Sequence, residues 1–385
     1  MSFRRFAAVC AIASIATSAA MAEDGVSADS IVFGQVAAFE GPAAALGTGM
    51  REGLMAAFHE VNAAGGVHGR QIELRTQDDG YEPDRSAKAV KAMIESGEVF
   101  GLIGPVGTPT SKATQPIATE ASFPFVGPFT GAGFLRDPAH GNVVNVRATY
   151  AAETEAWIKH LVDERGITNI AILYQDDAFG RVGLKGVTEA LERRGIKLSA
   201  EGTYTRNTTA VKKAALAIRK ANPEAVVMVG AYKPIAAFIK LARKLKMKSA
   251  FVNISFVGSK ALAQELGKDG EGVIVSQVVP FPWDTAIPIV AEYQAAIKAV
   301  SADAEPGFVS LEGYIVGRLA IAALEKAGAE PTREAFYKAV WSMTDYDMGG
   351  IRMSFAEGDS QGLDSVFMTE INADGTFSPI ETPSS

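Results

Sequence analysis

Cysteine, histidine and basic charge are all scarce in this chain. Its single cysteine is Cys10, so no intrachain disulfide can staple the fold. Only four histidines occur, and His59-Glu60 lacks the second histidine one turn later that a helical zinc-protease site needs. His59 reads instead as a helix-surface residue. No Gly-x-Ser-x-Gly elbow is present, which removes the usual hydrolase nucleophile. The stretch from Gly104 to Lys112 (GPVGTPTSK) has the outline of a phosphate loop but not its Gly-Lys-Ser/Thr order, and Pro109 takes away a backbone donor. Gly131-Ala132-Gly133 lacks the third glycine of a dinucleotide fingerprint. These gaps point away from an enzyme, and they suggest no catalytic residue, no metal and no cofactor.

Basic residues are outnumbered 37 to 44, for a formal net charge of -7. That balance argues against nucleic acid or an anionic membrane surface as partner. The one basic cluster, Lys240 to Lys248 (KLARKLKMK), reads as a solvated helix end, where cations are favoured.

Long apolar runs are missing too, apart from Phe6 to Ala20. Arg4 and Arg5 precede that run, and Ala20-Met21-Ala22 follows it ahead of Glu23-Asp24. A short apolar stretch with basic residues before it and small residues after it has the form of a signal peptide over residues 1–22, cut after Ala22. Cys10 would leave with it, and the exported product would carry no cysteine and hence no lipid anchor. Thiol catalysis is then excluded outright.

What is present is alternation. Short β-branched runs at Ile31–Val36, Gln71–Thr76, Val99–Gly104, Asn142–Arg147, Asn169–Tyr174, Ala225–Gly230 and Ala250–Asn253 are each followed by a helix or a turn, the pattern of a parallel α/β fold. Met50, Leu54, Phe58 and Val61 mark one helical face before Gly65-Gly66. Thr110–Ala121, Ala151–Arg165, Phe179–Arg194 and Thr208–Ala221 repeat the scheme, with Gly166 and Gly195 as caps. Two βα series, over residues 30–147 and 168–276, predict two doubly wound parallel-sheet lobes. Three short crossings near Arg147, Gln277 to Pro280 and Gly349 to Ile351 would join them. The lobes would span residues 23–147 plus 278–349, and residues 148–277 plus 350–385.

Glycines, hydroxyls and aromatics gather at the predicted C-terminal strand ends, the edge where open α/β sheets bind ligands. The first lobe offers Tyr81 after Asp78-Asp79, the loop Gly107-Thr108-Pro109, and Phe129-Thr130-Gly131. The second offers Phe179 after Asp176-Asp177, Tyr232, and Ser255-Phe256, with Tyr150 beyond the first crossing. Phe39 is a further ring at a strand end. Asp78 and Asp79 read as helix-start carboxylates before they read as cation ligands.

Together with Gly41-Pro42, the run Val61 to Gly69 (VNAAGGVHG), Asp78-Asp79 with Pro83, Ile103-Gly104-Pro105 and Phe179-Gly180, these residues resemble the type I periplasmic binding proteins of the leucine/isoleucine/valine-binding class. The resemblance covers nearly the whole chain. It implies a periplasmic receptor, monomeric and not lipid-anchored, that encloses a small amino acid, amide or carboxylic acid between two lobes. An inner-membrane ABC permease would then receive that ligand. The alternative is a periplasmic ligand sensor serving a signalling protein, with a hydrolase as a more distant one. By resemblance, Gly107 and Thr108 lie in the first ligand loop and Phe129, Thr130 and Gly131 in the second, while Phe179 and Tyr232 flank the ligand.

Two departures are visible. Tyr81 and Gly107 stand where the family places a cysteine pair. Ser255 stands where the branched-chain amino acid binders place the acid that meets the ligand's ammonium. Either another acid, Asp176 or Asp177, takes that role, or the ligand is not an α-amino acid, because a buried ammonium without a carboxylate is costly.

Overall fold

The computed structural model describes residues 23–380. The signal-peptide expectation for residues 1–22, Cys10 included, lies outside them, as do residues 381–385.

Two sheets organise the chain. In the first, β1 (Ser30–Ala37) lies between β2 (Gln71–Asp78) and β3 (Gly101–Ile103), followed by β4 (Phe125–Val126) and β5 (Val143–Val144), all parallel. The second holds β6 (Ile170–Gln175), β7 (Ala200–Tyr204), β8 (Ala225–Val229), β9 (Ala250–Asn253) and β10 (Ile274–Gln277), in the parallel order β10-β9-β8-β6-β7. An antiparallel pair, β13 (Phe367–Ile371) and β14 (Phe377–Pro379), extends it beyond β10. A small separate hairpin joins β11 (Tyr346–Asp347) to β12 (Arg352–Met353). The α/β class and the parallel sheets are those the alternating pattern predicts.

Strand β1 suits an interior position because it is apolar on both faces: Ile31, Phe33 and Val36 are buried. Helix α1 (Ala44–Ala63) covers it with Met50, Leu54 and Phe58, all buried, and ends where Gly65 and Gly66 take positive φ. Helix α2 (Pro83–Ser96) stops at Gly97 in the left-handed region. Helix α10 (Phe308–Ala327), nearly all apolar, crosses α1 so closely that a Cβ on Gly53 would sit 1.9 Å from the Ser310 carbonyl oxygen.

Three elements differ from expectation. Strand β7 was not expected: it carries Glu201 and Gly202 and lies at a sheet edge, where burial writes little alternation into the sequence. The helix expected from Thr208 begins only at Lys212 (α6, Lys212–Lys220), because Asn207 has φ +59° and the Thr208 hydroxyl donates to the Thr205 carbonyl, closing a turn first. The helix begun at Tyr150 (α4, Tyr150–Ile158) widens into a π-helical turn at Lys159–Glu164 before Gly166.

In each sheet the strand order reverses once, between β1 and β3 and between β6 and β8. That reversal opens a crevice at the C-terminal strand ends. The chain leaves the first sheet after β5, and after β10 it comes back beside it as helix α10 packed on α1. Residues 360–363 run beside the end of β5: Asn145 N donates to Ser360 O, Gly362 N to Asn145 O and Leu363 N to Val146 O, all at 2.9 Å.

Candidate functional site

Five of the sequence-predicted rings meet in one cluster. Phe256 is central, with ring centroids 4.6 Å from Phe179, 5.4 Å from Phe129 and 5.9 Å from Tyr81; Tyr150 joins through Phe179 at 5.5 Å. Each sits where its element forces it. Phe179 opens α5 (Ala178–Glu192), whose cap Asp177 accepts from the Phe179 backbone N–H at 3.0 Å. Tyr150 is the first residue of α4, capped by Thr149. Phe256 lies on the single 3-10 turn that follows β9. All five are buried.

Tyr81 and Gly107, the two positions that replace a cysteine pair, are in contact. A Cβ on Gly107, whose φ is +105°, would fall 2.3 Å from Tyr81 Cε2, so the glycine makes room for the ring. Tyr81 itself has φ +62° and is held there by Asp79, which accepts from its backbone N–H at 2.7 Å. Its hydroxyl accepts from Gln175 Nε2 at 3.3 Å, a bond from the second sheet to the first.

Gly107 caps α3 (Thr108–Glu120), so Thr108 is that helix's first residue and its hydroxyl is free for other work. It meets the Thr130 hydroxyl at 2.6 Å. Gly131 lets the second loop lie on the start of α4: Tyr150 N donates to its carbonyl at 2.8 Å, and a Cβ there would be 2.6 Å from that nitrogen. Tyr232 stands apart from the ring cluster and accepts from Ala45 N at 3.3 Å. Phe39 also lies outside it, under the Arg51 guanidinium at 4.7 Å.

Ser255 faces an acid that sequence reasoning missed. Its N–H and hydroxyl both donate to Glu153 at 2.9 Å, and the Ser276 hydroxyl donates to the same carboxyl. Burial pushes the Glu153 carboxyl up, against Arg147 and these three donors. Asp176, one of the two alternatives, pairs with Arg181 on the surface, and Asp177 pairs with Arg206 at 2.9 Å.

Arg147 and Glu312 were missed as well. They form a fork, Nε to Oε1 at 2.8 Å and Nη2 to Oε2 at 2.9 Å, with side chains 1% and 3% exposed. Burial alone would lower the Arg147 value, but Glu312 more than reverses that and holds the guanidinium charged. The guanidinium lies 4.3 Å over the Phe129 ring. Arg136 ties the second loop from behind, donating to the carbonyls of Thr130, Ala132 and Arg147; burial and the Arg147 charge lower it to about 9. One signal was legible: Glu312 is a lone acid in the otherwise apolar first half of α10.

Asp79 is buried behind Tyr81, and burial raises its carboxyl from the ordinary 3.8 to about 6. The folded state therefore binds this proton more tightly than the unfolded state. The resulting penalty is absent near pH 4 and grows as the pH rises towards 6. At about 1.4 kcal/mol per pH unit, the penalty at neutral pH is roughly 3 kcal/mol. Asp79→Asn keeps the bonds to Ser86 and Tyr81 without the charge. It should melt above the wild type at pH 7.5 and close to it at pH 4; equal differences at both pH values would contradict this origin.

Two parallel α/β sheets with convergent aromatic loops at a paired strand-order switch define a two-lobe binding protein. The family profile described as "Periplasmic binding protein" matches residues 30–376, and the chain belongs to that family, in its leucine/isoleucine/valine-binding branch. It is similar to a possible leucine/isoleucine/valine-binding protein from Rhodopirellula baltica, with 36% identity and TM-score 0.87 over 94% of this chain and 98% of that one. A substrate-binding periplasmic protein from Ralstonia solanacearum is 27% identical with TM-score 0.86, over 91% and 99%. The Leu/Ile/Val-binding protein BraC3 of Rhizobium johnstonii is 25% identical over 80% of this chain and 83% of its own. These relatives are solute-binding proteins rather than enzymes. Among the described residues no helix is long and apolar enough to cross a membrane, and no cluster of metal-ligating side chains occurs.

Proposed function

We propose that this chain is the periplasmic solute-binding receptor of an ABC importer, a monomer that captures a small amino acid, amide or carboxylic acid between two closing lobes and hands it to a permease. The observation that carries this reading is the ring cluster. Tyr81 and Phe129 come from loops of the first sheet, Phe179 and Phe256 from loops of the second, and Tyr150 from the chain between them. A ligand held among them touches both lobes at once and so stabilises their closed arrangement. Thr108, Thr130 and the Gly107 and Gly131 backbone supply polar contacts from the first lobe, and Ser255 from the second, with Tyr232 guarding the side nearest α1.

The lobes divide as 23–147 and 148–277 for the first two segments. The hydrogen bonds of residues 360–363 to Asn145 and Val146 favour a third crossing between Leu363 and Phe367, later than the Gly349–Ile351 read from the sequence.

A latch supports closure at the rim. Arg206 bridges Glu82 at 2.8 Å and Asp177 at 2.9 Å, and Asn207 donates to Glu82 at 2.7 Å and to the Gly80 carbonyl at 3.0 Å. Part-exposed pairs of this kind contribute about 1 kcal/mol. Arg206→Ala should therefore weaken ligand binding about fivefold by lowering the closed fraction, read by calorimetry. Unchanged affinity would remove the latch from the mechanism.

A thermal-shift panel of amino acids, amides and carboxylic acids on residues 23–385 tests the receptor reading. A ligand at a hundred times its dissociation constant adds about 2.7 kcal/mol, a plain upward shift. A flat response across all three classes would sink it.

A further inference from the structure

We propose that Arg147 receives the ligand's carboxylate on its Nη1 edge, and that the ligand is an apolar-bodied monocarboxylate without an α-ammonium group. This rests on the receptor reading above and narrows it to one chemistry.

Glu312 occupies Nε and Nη2 of Arg147, whereas Nη1, equally buried, has no hydrogen-bond partner. The Tyr150 hydroxyl, also buried beside the ring cluster, has the Thr108 and Thr130 hydroxyls beside it but no well-formed hydrogen bond to either. A guanidinium can only donate, so the partner that suits Nη1 is an acceptor. Arg147, Phe129, Ser255, Gln277, Phe308 and Glu312 line one seam between the lobes, too narrow as it stands to hold a water molecule. Phe129 belongs both to that seam and to the ring cluster, so a ligand that parts the rings lays its body where they now meet and its acid end beside Arg147.

The charge balance favours an anion. Arg136 and Arg147 are neighbouring cations, close enough that each disfavours the other's charge. Among the buried groups, Glu312, committed to Arg147, and Glu153, which burial drives towards its neutral form, stand against them, while Asp364 near Arg136 is exposed to solvent. One carboxylate on Nη1 completes the set with a charge-assisted bond.

An ammonium finds no such welcome. It needs an ionised acceptor, and Glu153 is the acid on the second-lobe side. Both Glu153 oxygens already accept bonds from Ser255 and Ser276, and Ser255, not Glu153, lines the seam. On the second-lobe side the donor Ser255 faces the cleft with its acid behind it, and Glu312, which does line the cleft, is committed to Arg147.

Two matched sets of probes test this by calorimetry: 4-methylpentanoate, leucine and 4-methylpentanamide, then 3-phenylpropanoate, phenylalanine and 3-phenylpropanamide. Within a set only the amino group or the carboxylate charge changes. We expect at least one acid to bind at least about tenfold more tightly than its amino acid and its amide. The double variant Arg147→Gln/Glu312→Gln removes both charges together and strands neither. It should bring the acid within about twofold of the amide. Should that variant fail to fold, Arg147→Lys keeps the charge without the fork and should weaken the acid by about tenfold.

Leucine or phenylalanine binding more tightly than its acid would overturn the inference and leave the receptor reading standing. So would an acid preference that survives the double variant, or binding confined to other members of the wider panel. No response to these six probes or to that panel would overturn both.

Discussion

Replacing Glu312 with alanine should cost about 3–5 kcal/mol of folding stability, the largest single-residue effect expected in this protein. The reason is the charge left behind. Arg147 is 1% exposed and two of its three nitrogens bind Glu312; without that carboxylate a guanidinium is buried against Phe129 with no counter-ion. Arg136 adds to the penalty, being a second cation close by. Removing both partners is a different experiment. The double variant Arg147→Met with Glu312→Leu has no charge to strand and should recover most of the loss, because apolar replacements of buried pairs are often neutral. Urea denaturation of the wild type and the two variants reads both outcomes. A loss below about 1 kcal/mol for Glu312→Ala would mean that water or backbone compensates the guanidinium, and the fork would then not be structural.

The second large effect is expected at Gly53. Alanine in a helix is favoured over glycine by about 1 kcal/mol, so Gly53→Ala on propensity alone should stabilise α1. The crossing with α10 decides otherwise. The new Cβ would lie 1.9 Å from the Ser310 carbonyl oxygen and 2.4 Å from Tyr314 N, both backbone atoms of a buried helix that cannot swing aside. Overpacking of this kind costs about 1–3 kcal/mol and at times more, so the net result should be a loss of at least about 2 kcal/mol. Gly141→Ala, where a Cβ meets nothing within 4 Å, is the control and should stay within about 0.5 kcal/mol of the wild type. A stabilised Gly53→Ala would show that α1 and α10 leave room for a methyl group at their crossing.

The sequence showed most of what local chemistry writes down. The stripe Met50, Leu54, Phe58 foretold the buried face of α1, and Gly166 and Gly195 foretold helix ends, both with positive φ. The five clustered rings were legible because each follows a strand, and strand ends on one edge converge whatever the loops between them. The contact of Tyr81 with Gly107 was legible only through family resemblance, which pairs those positions.

What escaped notice was long-range. Arg147 and Glu312 are separated by 165 residues, and Ser255 and Glu153 by 102. No periodicity connects such positions; only the fold does. Arg147 looked like part of a crossing strand, and Glu153 like an ordinary acid in the first turn of a helix. Asp176 and Asp177, the two acids offered by the sequence in place of the one absent at Ser255, pair with Arg181 and Arg206, while the alternative of a ligand that is not an α-amino acid stands open. Strand β7 and the late start of α6 escaped for the opposite reason, being local features too short or too polar to leave a pattern.

The central claim is that a ligand draws the two lobes together. In a chain lacking residues 1–22, and so lacking Cys10, cysteines introduced at Asp84 and Thr209 are unique labelling sites, both exposed and on opposite sides of the cleft. The distance between spin labels at these positions should shorten and its distribution narrow when the panel member that most raises the melting temperature is added to saturation. An unchanged distance at saturation would contradict the account.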